Sequence, residues 1–263
     1  MPRTDPPDAE RPAGSDSARR ILEILFAFTE QRPRRTVKEL SADLGIPAPS
    51  VHRYVALLRQ MGLATDTRKG LYQLTPRVLL LGRAARTANT LLELAAPHLA
   101  GLAAELDETV LLVQFIAGLP VCVDRCESSR VLRLSFQPGQ MLPPLRGASV
   151  KVLLGGLTAD ERRAYVDRIV RQGQAAPPPD DWEREVELAG RQGWSTSTQE
   201  VDEGVWAAAA AVREHGTVAA SVSVPCPEFR LTDDGRAAIL ARVRETADEL
   251  SAALERHGPA DGT

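Results

Sequence analysis

The segment from Gly45 to Gly62 constrains this chain more than any other. From Ala48 to Met61 the apolar side chains recur at helical spacing. Val51, Val55, Leu58 and Met61 follow at i, i+4, i+7 and i+10, with Tyr54 beside them, so one face of a helix is apolar. The other face carries Pro49, His52, Arg53, Ala56, Arg59 and Gln60, which are small, cationic or hydrogen-bonding. A helix of that kind fits a major groove, where the backbone comes close and an arginine reaches base edges or phosphates. A plain amphipathic helix with a solvated face has the same pattern, so the neighbouring segments must decide.

Upstream, Ser17 to Thr29 carries the stripe Ile21, Ile24, Leu25 and Phe28 and reads as a helix. A polar loop follows over Gln31 to Arg35. Thr36-Val37-Lys38-Glu39 then has the form of a capping box, in which the Thr hydroxyl accepts from the Glu N–H and the Glu carboxylate reaches back. Val37, Leu40 and Leu44 give this second helix its buried face, and Gly45 ends it in the left-handed conformation. Two helices across so tight a turn make a helix-turn-helix. Downstream, Leu63 to Thr67 and Leu71 to Leu74 flank Arg68-Lys69-Gly70 and read as a hairpin. Its tip is either a solvated turn or a wing that sets two cations on a DNA backbone. Arg53 is the leading candidate for a base or phosphate contact. Ser50, His52, Arg59, Arg68, Lys69, Arg34 and Arg35 are the further candidates.

Charge supports the assignment. Residues 1–86 carry 15 Lys and Arg against 9 Asp and Glu, a net of +6, whereas residues 87–263 carry 17 against 26, a net of −9. A basic first third on an acidic remainder is expected when only one part meets a polyanion. No apolar run reaches membrane-spanning length, and the Pro-, Asp- and Arg-rich start lacks the apolar core of a signal peptide. Three cysteines, Cys122, Cys126 and Cys226, suit a reducing cytosol. Cys122 and Cys126, four apart in a predicted strand, are expected on one face. A metal site would need a fourth ligand at the right spacing, so no metal or other cofactor is expected.

Thr75-Pro76 opens one or two helices to about Asp107, rich in leucine from Val78 to Leu102 and broken near Asn89-Thr90. This surplus of apolar surface suits a connector, a dimer interface or both. From Glu108 the period changes. Strands are predicted at Thr109–Ile116, Val121–Cys126, Val131–Phe136, Trp194–Thr198, Val205–Arg213 and Val218–Val224. Helices are predicted at Gly147–Gly155 and Ala159–Val170, then from a cap at Asp180 to Gln192, and from a cap at Thr232 to about Glu255. The class is α+β. There is no Gly-x-Ser-x-Gly elbow, no His-Glu-x-x-His and no phosphate-binding glycine loop, so an enzyme is not expected. A sheet domain that binds another protein, or only serves assembly, stays open as the alternative to a ligand domain.

The chain as a whole resembles the IclR family of bacterial transcriptional regulators, from about Ser17 to Glu255. The matching residues in the first part are Thr36-Val37-Lys38-Glu39-Leu40, Leu44-Gly45-Ile46-Pro47, Ser50-Val51-His52-Arg53 and Gly62-Leu63-Ala64. Later come Pro144 to Leu154, Glu200 to Val205, Ala219 to Val224 and Arg230-Leu231-Thr232. Val150 stands where the family usually has Gly, Arg146 where His is common, and Ala207 where some members have a pocket Cys. The resemblance implies a disordered tail (1–16), a winged helix-turn-helix (17–75), a helical linker for dimerisation (76–107), a GAF-like effector domain with an antiparallel sheet flanked by helices (108–255) and a tail (256–263). The implied partners are a double-stranded DNA operator, a small-molecule effector such as a small organic acid, and a second copy in a dimer or tetramer. A membrane is not among them, and the setting is the bacterial cytoplasm. The implied effector residues are Gly147 and Ala148 at a helix start, Ser197, Val205, Ala207, and the paired Ser221 and Ser223.

Overall fold

The computed structural model describes residues 15–29, 32–68, 70–130, 136–176 and 178–257, and the chain divides between Ala88 and Asn89 into two units. The N-terminal unit contains α1 (Ser15–Phe26), β1 (Arg34–Thr36), α2 (Val37–Leu44), α3 (Ala48–Gln60), β2 (Ala64–Arg68), β3 (Leu71–Leu74) and α4 (Val78–Thr87). The capping box forms as expected. The Thr36 hydroxyl accepts from Glu39 N–H, and the Glu39 carboxylate accepts from the N–H and hydroxyl of Thr36. Those hydrogen bonds to the charged form hold the Glu39 carboxyl below its usual range. Gly45 closes α2 at φ 63°. Ile24, Leu40, Ile46, Val51, Tyr54, Val55 and Leu58 make the core.

Two expectations change here. Met61 is not on the buried stripe, because α3 ends at Gln60 and Met61 turns outward as its C-cap. Arg34 and Arg35 are not in a loop but in β1, which pairs antiparallel with β3 to give the sheet order β1-β3-β2. The pairing places Arg35 opposite Tyr72 and buries it.

The C-terminal unit runs α5 (Thr90–Leu106), β4 (Val110–Ile116), β5 (Leu119–Cys126), α6 (Ala148–Gly155), α7 (Ala159–Arg171), α8 (Trp182–Gln192), β6 (Trp194–Thr198), β7 (Val205–Glu214), β8 (Thr217–Pro227) and α9 (Asp233–His257). Its five strands form one antiparallel sheet in the order β5-β4-β8-β7-β6. Alternate strand residues face opposite sides. One face, with Val110, Leu112, Trp206, Ala208, Ala210, Val222 and Val224, packs under α5 and α9. The other, with Leu111, Val113, Ala209 and Ala211, packs under α6 and its neighbours. The predicted strand at Val131–Phe136 falls on residues 131–135, outside the described residues, and Phe136 itself is not in a strand.

The leucine-rich stretch after Thr75 is two different things. Asn89 accepts from Leu92 N–H and starts α5, whose Leu91, Leu92, Leu99 and Leu102 are buried in the sheet domain's own core. Only α4 keeps its apolar side chains outside, with no buried residue and Leu79, Leu80 and Leu81 exposed. The cap predicted at Asp180 is not used; Asp181 is the N-cap of α8 and makes no side-chain cap bond. The cap at Thr232 is used, accepting from Gly235 N–H at 3.1 Å. The two cysteines of β5 do not share a face. Register slips between the pairs Leu112–Asp124 and Val113–Cys122, leaving Val123 as the extra residue of a bulge. Cys122 therefore joins the α6 side and Cys126 the α9 side.

Candidate functional site

α3 presents the predicted polar face. His52, Arg53, Ala56, Arg59 and Gln60 are exposed, Ser50 is half-buried, and Val51, Tyr54, Val55 and Leu58 hold the helix from beneath. Arg53 is held ready rather than loose. Its guanidinium lies 5.1 Å from the Tyr54 ring centroid and donates to the Tyr54 hydroxyl at 3.3 Å. Arg59 reaches Asp66 on β2 at 2.8 Å, an exposed pair that a phosphate can replace at little cost. Arg68 is exposed at the end of β2. Lys69 lies outside the described residues.

The two arginines before α2 part company. Arg34 is exposed beside the wing and donates to Gln73 at 3.2 Å. Arg35 does not belong to a DNA-contacting set. It is 3% exposed, donates to the Ala27 carbonyl at 2.9 Å and pairs with Asp43, so it ties α1 to α2 from inside. No signal in its local sequence separates it from Arg34; only the strand pairing does.

The C-terminal unit has a cleft of about 190 Å³ beside the start of α6. Of the predicted effector residues, Gly147, Ala148, Ser197, Val205, Ala207 and Ser223 all line it. Register explains the convergence, since Ser197 pairs with Ala207 across β6 and β7, and Ser223 pairs with Leu111 across β8 and β4. Ser221 does not line it. It sits one pleat further along β8, opposite Ala211, fully buried on the sheet face under α6, with its hydroxyl oxygen unpartnered.

Sequence reasoning missed most of the rim. Phe136, Gln140 and Leu142 enter from the segment that pairs along the outer edge of β5, where Cys122 N–H donates to the Gln140 carbonyl and Leu142 N–H to that of Pro120. Arg146 lines the cleft as an exposed cation. Its approach is fixed from behind, because Tyr165 Oη donates to the Pro144 carbonyl at 3.0 Å and Trp182 Nε1 to the Leu145 carbonyl at 2.8 Å. The signal for Arg146 was its place directly before Gly147.

The α6 start itself is less open than its sequence suggests. The Glu200 carboxylate accepts from Gly147 N–H at 2.9 Å and from the buried Lys151 ammonium at 2.6 Å, and Lys151 also reaches Glu185 at 2.9 Å. Glu200 belongs to the β6–β7 loop whose Val201 and Asp202 rim the cleft, so this carboxylate fastens the rim to α6.

Residues 84–252 match the family model described as the bacterial transcriptional regulator IclR C-terminal domain, and residues 17–67 match the IclR helix-turn-helix domain. The chain belongs to the IclR family of bacterial transcriptional regulators. It is 27% identical over 224 residues to the HTH-type transcriptional regulator KipR of Bacillus subtilis, covering 84% of this chain and 90% of that one. An IclR family regulator from Brucella abortus shares the fold with a TM-score of 0.79 at 22% identity, over 94% of this chain and 95% of that one. An IclR homologue from Microbacterium hydrocarbonoxydans, solved in complex with 4-hydroxybenzoate, shares it with a TM-score of 0.75 at 18% identity, over 91% and 99%. The IclR-family members matched are DNA-binding regulators and not enzymes. Among the described residues no helix is long and apolar enough to cross a membrane.

Proposed function

We propose that this IclR-family regulator reads its operator with the exposed face of α3, joins two copies through α4, and answers to a compact carboxylate held in the α6 cleft. The observation that carries the ligand assignment is the composition of the cleft. Ser197 and Ser223 supply hydroxyls, Leu111, Val205 and Pro225 an apolar wall, and Arg146 a cation with no carboxylate partner among the described residues. With Glu200 already on Gly147 N–H, the ligand's charge goes to Arg146, assisted by the first-turn N–H groups of α6. The Microbacterium homologue's complex with an aromatic hydroxy acid supports that ligand class. Joining of subunits is supported by Leu79, Leu80 and Leu81, three exposed leucines in succession on one short helix. Binding in the cleft alters operator affinity only by favouring one arrangement of the assembly over another.

The test has two arms. Genomic fragments retained by the full chain define the operator, and Arg53→Ala should weaken its binding by about 1–3 kcal/mol with circular dichroism unchanged. Operator affinity is then measured with 4-hydroxybenzoate and short-chain oxo acids. Arg146→Gln and Ser223→Ala should each lose most of the acid-induced shift while keeping acid-free operator binding. An acid response unchanged in both variants removes the carboxylate assignment, and an Arg53→Ala protein that binds as wild type removes the reading of α3.

A further inference from the structure

A second cavity, of about 240 Å³, shares no residue with the effector cleft. It lies between α9 and the β6–β7 edge, at the end of α8. Three arginines line it: Arg191 from the last turn of α8, Arg213 from β7 and Arg244 from α9. Their convergence in a part of the chain that is net negative is unusual. Asp248 is the one carboxylate in the lining. The only ion pair any of the three arginines makes among the described residues is a loose one, Arg191 to Glu187 at 3.8 Å.

Arg244 and Arg213 are placed by something other than a counter-ion. The Arg244 guanidinium lies over the Trp194 ring, 5.7 Å from its centroid, a cation–π contact that positions it without a counter-ion. Arg213 stands where the β7–β8 register slips by one residue, and its Nη2 hangs over Gly193, 3.9 Å from where a side chain there would begin. Its guanidinium makes one long hydrogen bond among the described residues, donating to the Gly216 carbonyl at 3.5 Å. Gln192, also in the lining, donates to the Trp194 carbonyl. Ala210, on the face toward α9, adds little bulk to the lining.

We infer that this cavity is a second ligand site, for the phosphoryl group of a small metabolite or for phosphate itself. Planar guanidinium forks match the oxygens of a tetrahedral oxyanion in pairs. Three cations against Asp248 and the loosely paired Glu187 leave the cavity net positive, and three guanidinium groups offer more donors than a single carboxylate fills, which suits phosphate. Asp248 is positioned to accept from a hydroxyl of the organic part. The site is independent of the proposed carboxylate cleft, so the failure of one assignment leaves the other standing.

The experiment is calorimetric titration of the full chain with inorganic phosphate and with glycerol 3-phosphate, at ionic strength fixed with chloride. Saturable binding is expected, weakened about tenfold or more in Arg213→Gln/Arg244→Gln, with the subunit assembly unchanged. Tighter binding of the ester identifies a phosphorylated metabolite as the source, and tighter binding of phosphate identifies the free ion. Should the double variant not fold, Arg191→Gln on the exposed last turn of α8 is the substitute, with a several-fold loss expected. No saturable binding at millimolar phosphate, or equal binding by wild type and variant, overturns the site. So does a double variant that changes oligomeric mass when wild type takes no phosphate, which makes the arginines an interface between copies.

Discussion

Lys151 and Glu200 form a pair whose two halves should fail unequally. Lys151 is 3% exposed, while its partners Glu200 and Glu185 are 29% and 48% exposed. Removing a carboxylate strands a buried ammonium; removing the ammonium leaves carboxylates that water can reach. Glu200→Ala loses two charge-assisted bonds, from Lys151 and from Gly147 N–H, each worth about 1.5–3 kcal/mol when fully buried. Retention of Glu185 and the partial exposure of Glu200 cut that total by about half, to roughly 1.5–3 kcal/mol. Lys151→Met replaces the buried ammonium with an apolar chain of similar length and leaves carboxylates that water reaches, and should cost about 1 kcal/mol or less. Urea unfolding followed by tryptophan fluorescence measures both. Glu200→Ala should also loosen the cleft rim, so hydrogen exchange at Val201 and Asp202 should rise in that variant more than in Lys151→Met. If Lys151→Met proves the costlier of the two, the account of which charge is trapped is wrong.

Three further outcomes are expected. α6 and α8 cross at Gly155 and Gly190, where a side-chain carbon on Gly190 would fall 2.3 Å from the Gly155 carbonyl oxygen; Gly190→Ala should cost about 1–3 kcal/mol and reduce ligand binding in the cleft, as urea titration and calorimetry would report. Because Glu39 titrates below its unfolded value, the capping box adds stability above the unfolded carboxylate range and loses it as pH falls through the folded value; an acid titration of Glu39→Gln should lack that part of the loss, and Thr36→Ala should cost about 1 kcal/mol at neutral pH. Burial pushes the Cys122 and Cys226 thiols up to about 12, so mass-resolved alkylation at neutral pH should modify half-buried Cys126 first and the other two only on unfolding.

Features written in adjacent residues were legible in the sequence. Thr36 with Glu39, Gly45 at the turn, and the bounds of β6 at Trp194 and Thr198 all depend on neighbours within a few positions. What escaped depends on distant partners. β1 exists because β3 offers it a ladder nearly forty residues away, and that ladder turns Arg35 inward. The same holds for the bulge at Val123, which undoes a count of two along β5. At the cleft, spacing correctly paired Val205 with Ala207, and it correctly put Ser221 and Ser223 on one face. It could not say where along that face α6 ends and the opening begins. That boundary leaves Ser223 in the cleft and Ser221 beneath the helix.

The alanine run of β7 has a consequence for how such a regulator can change its diet. Ala208 and Ala210 face the core beneath α9, Ala209 and Ala211 meet α6, and Ala207 faces the cleft. A larger residue at 207 takes volume first from the cleft, at the half-buried edge of the α6 contact, whereas one at 208 or 210 must displace a packed helix. On the proposed assignment of the cleft, ligand size is set at a position that stability polices lightly, one residue from positions that stability polices strictly. New effectors can be tried at Ala207 while the scaffold that reports them is inherited unchanged.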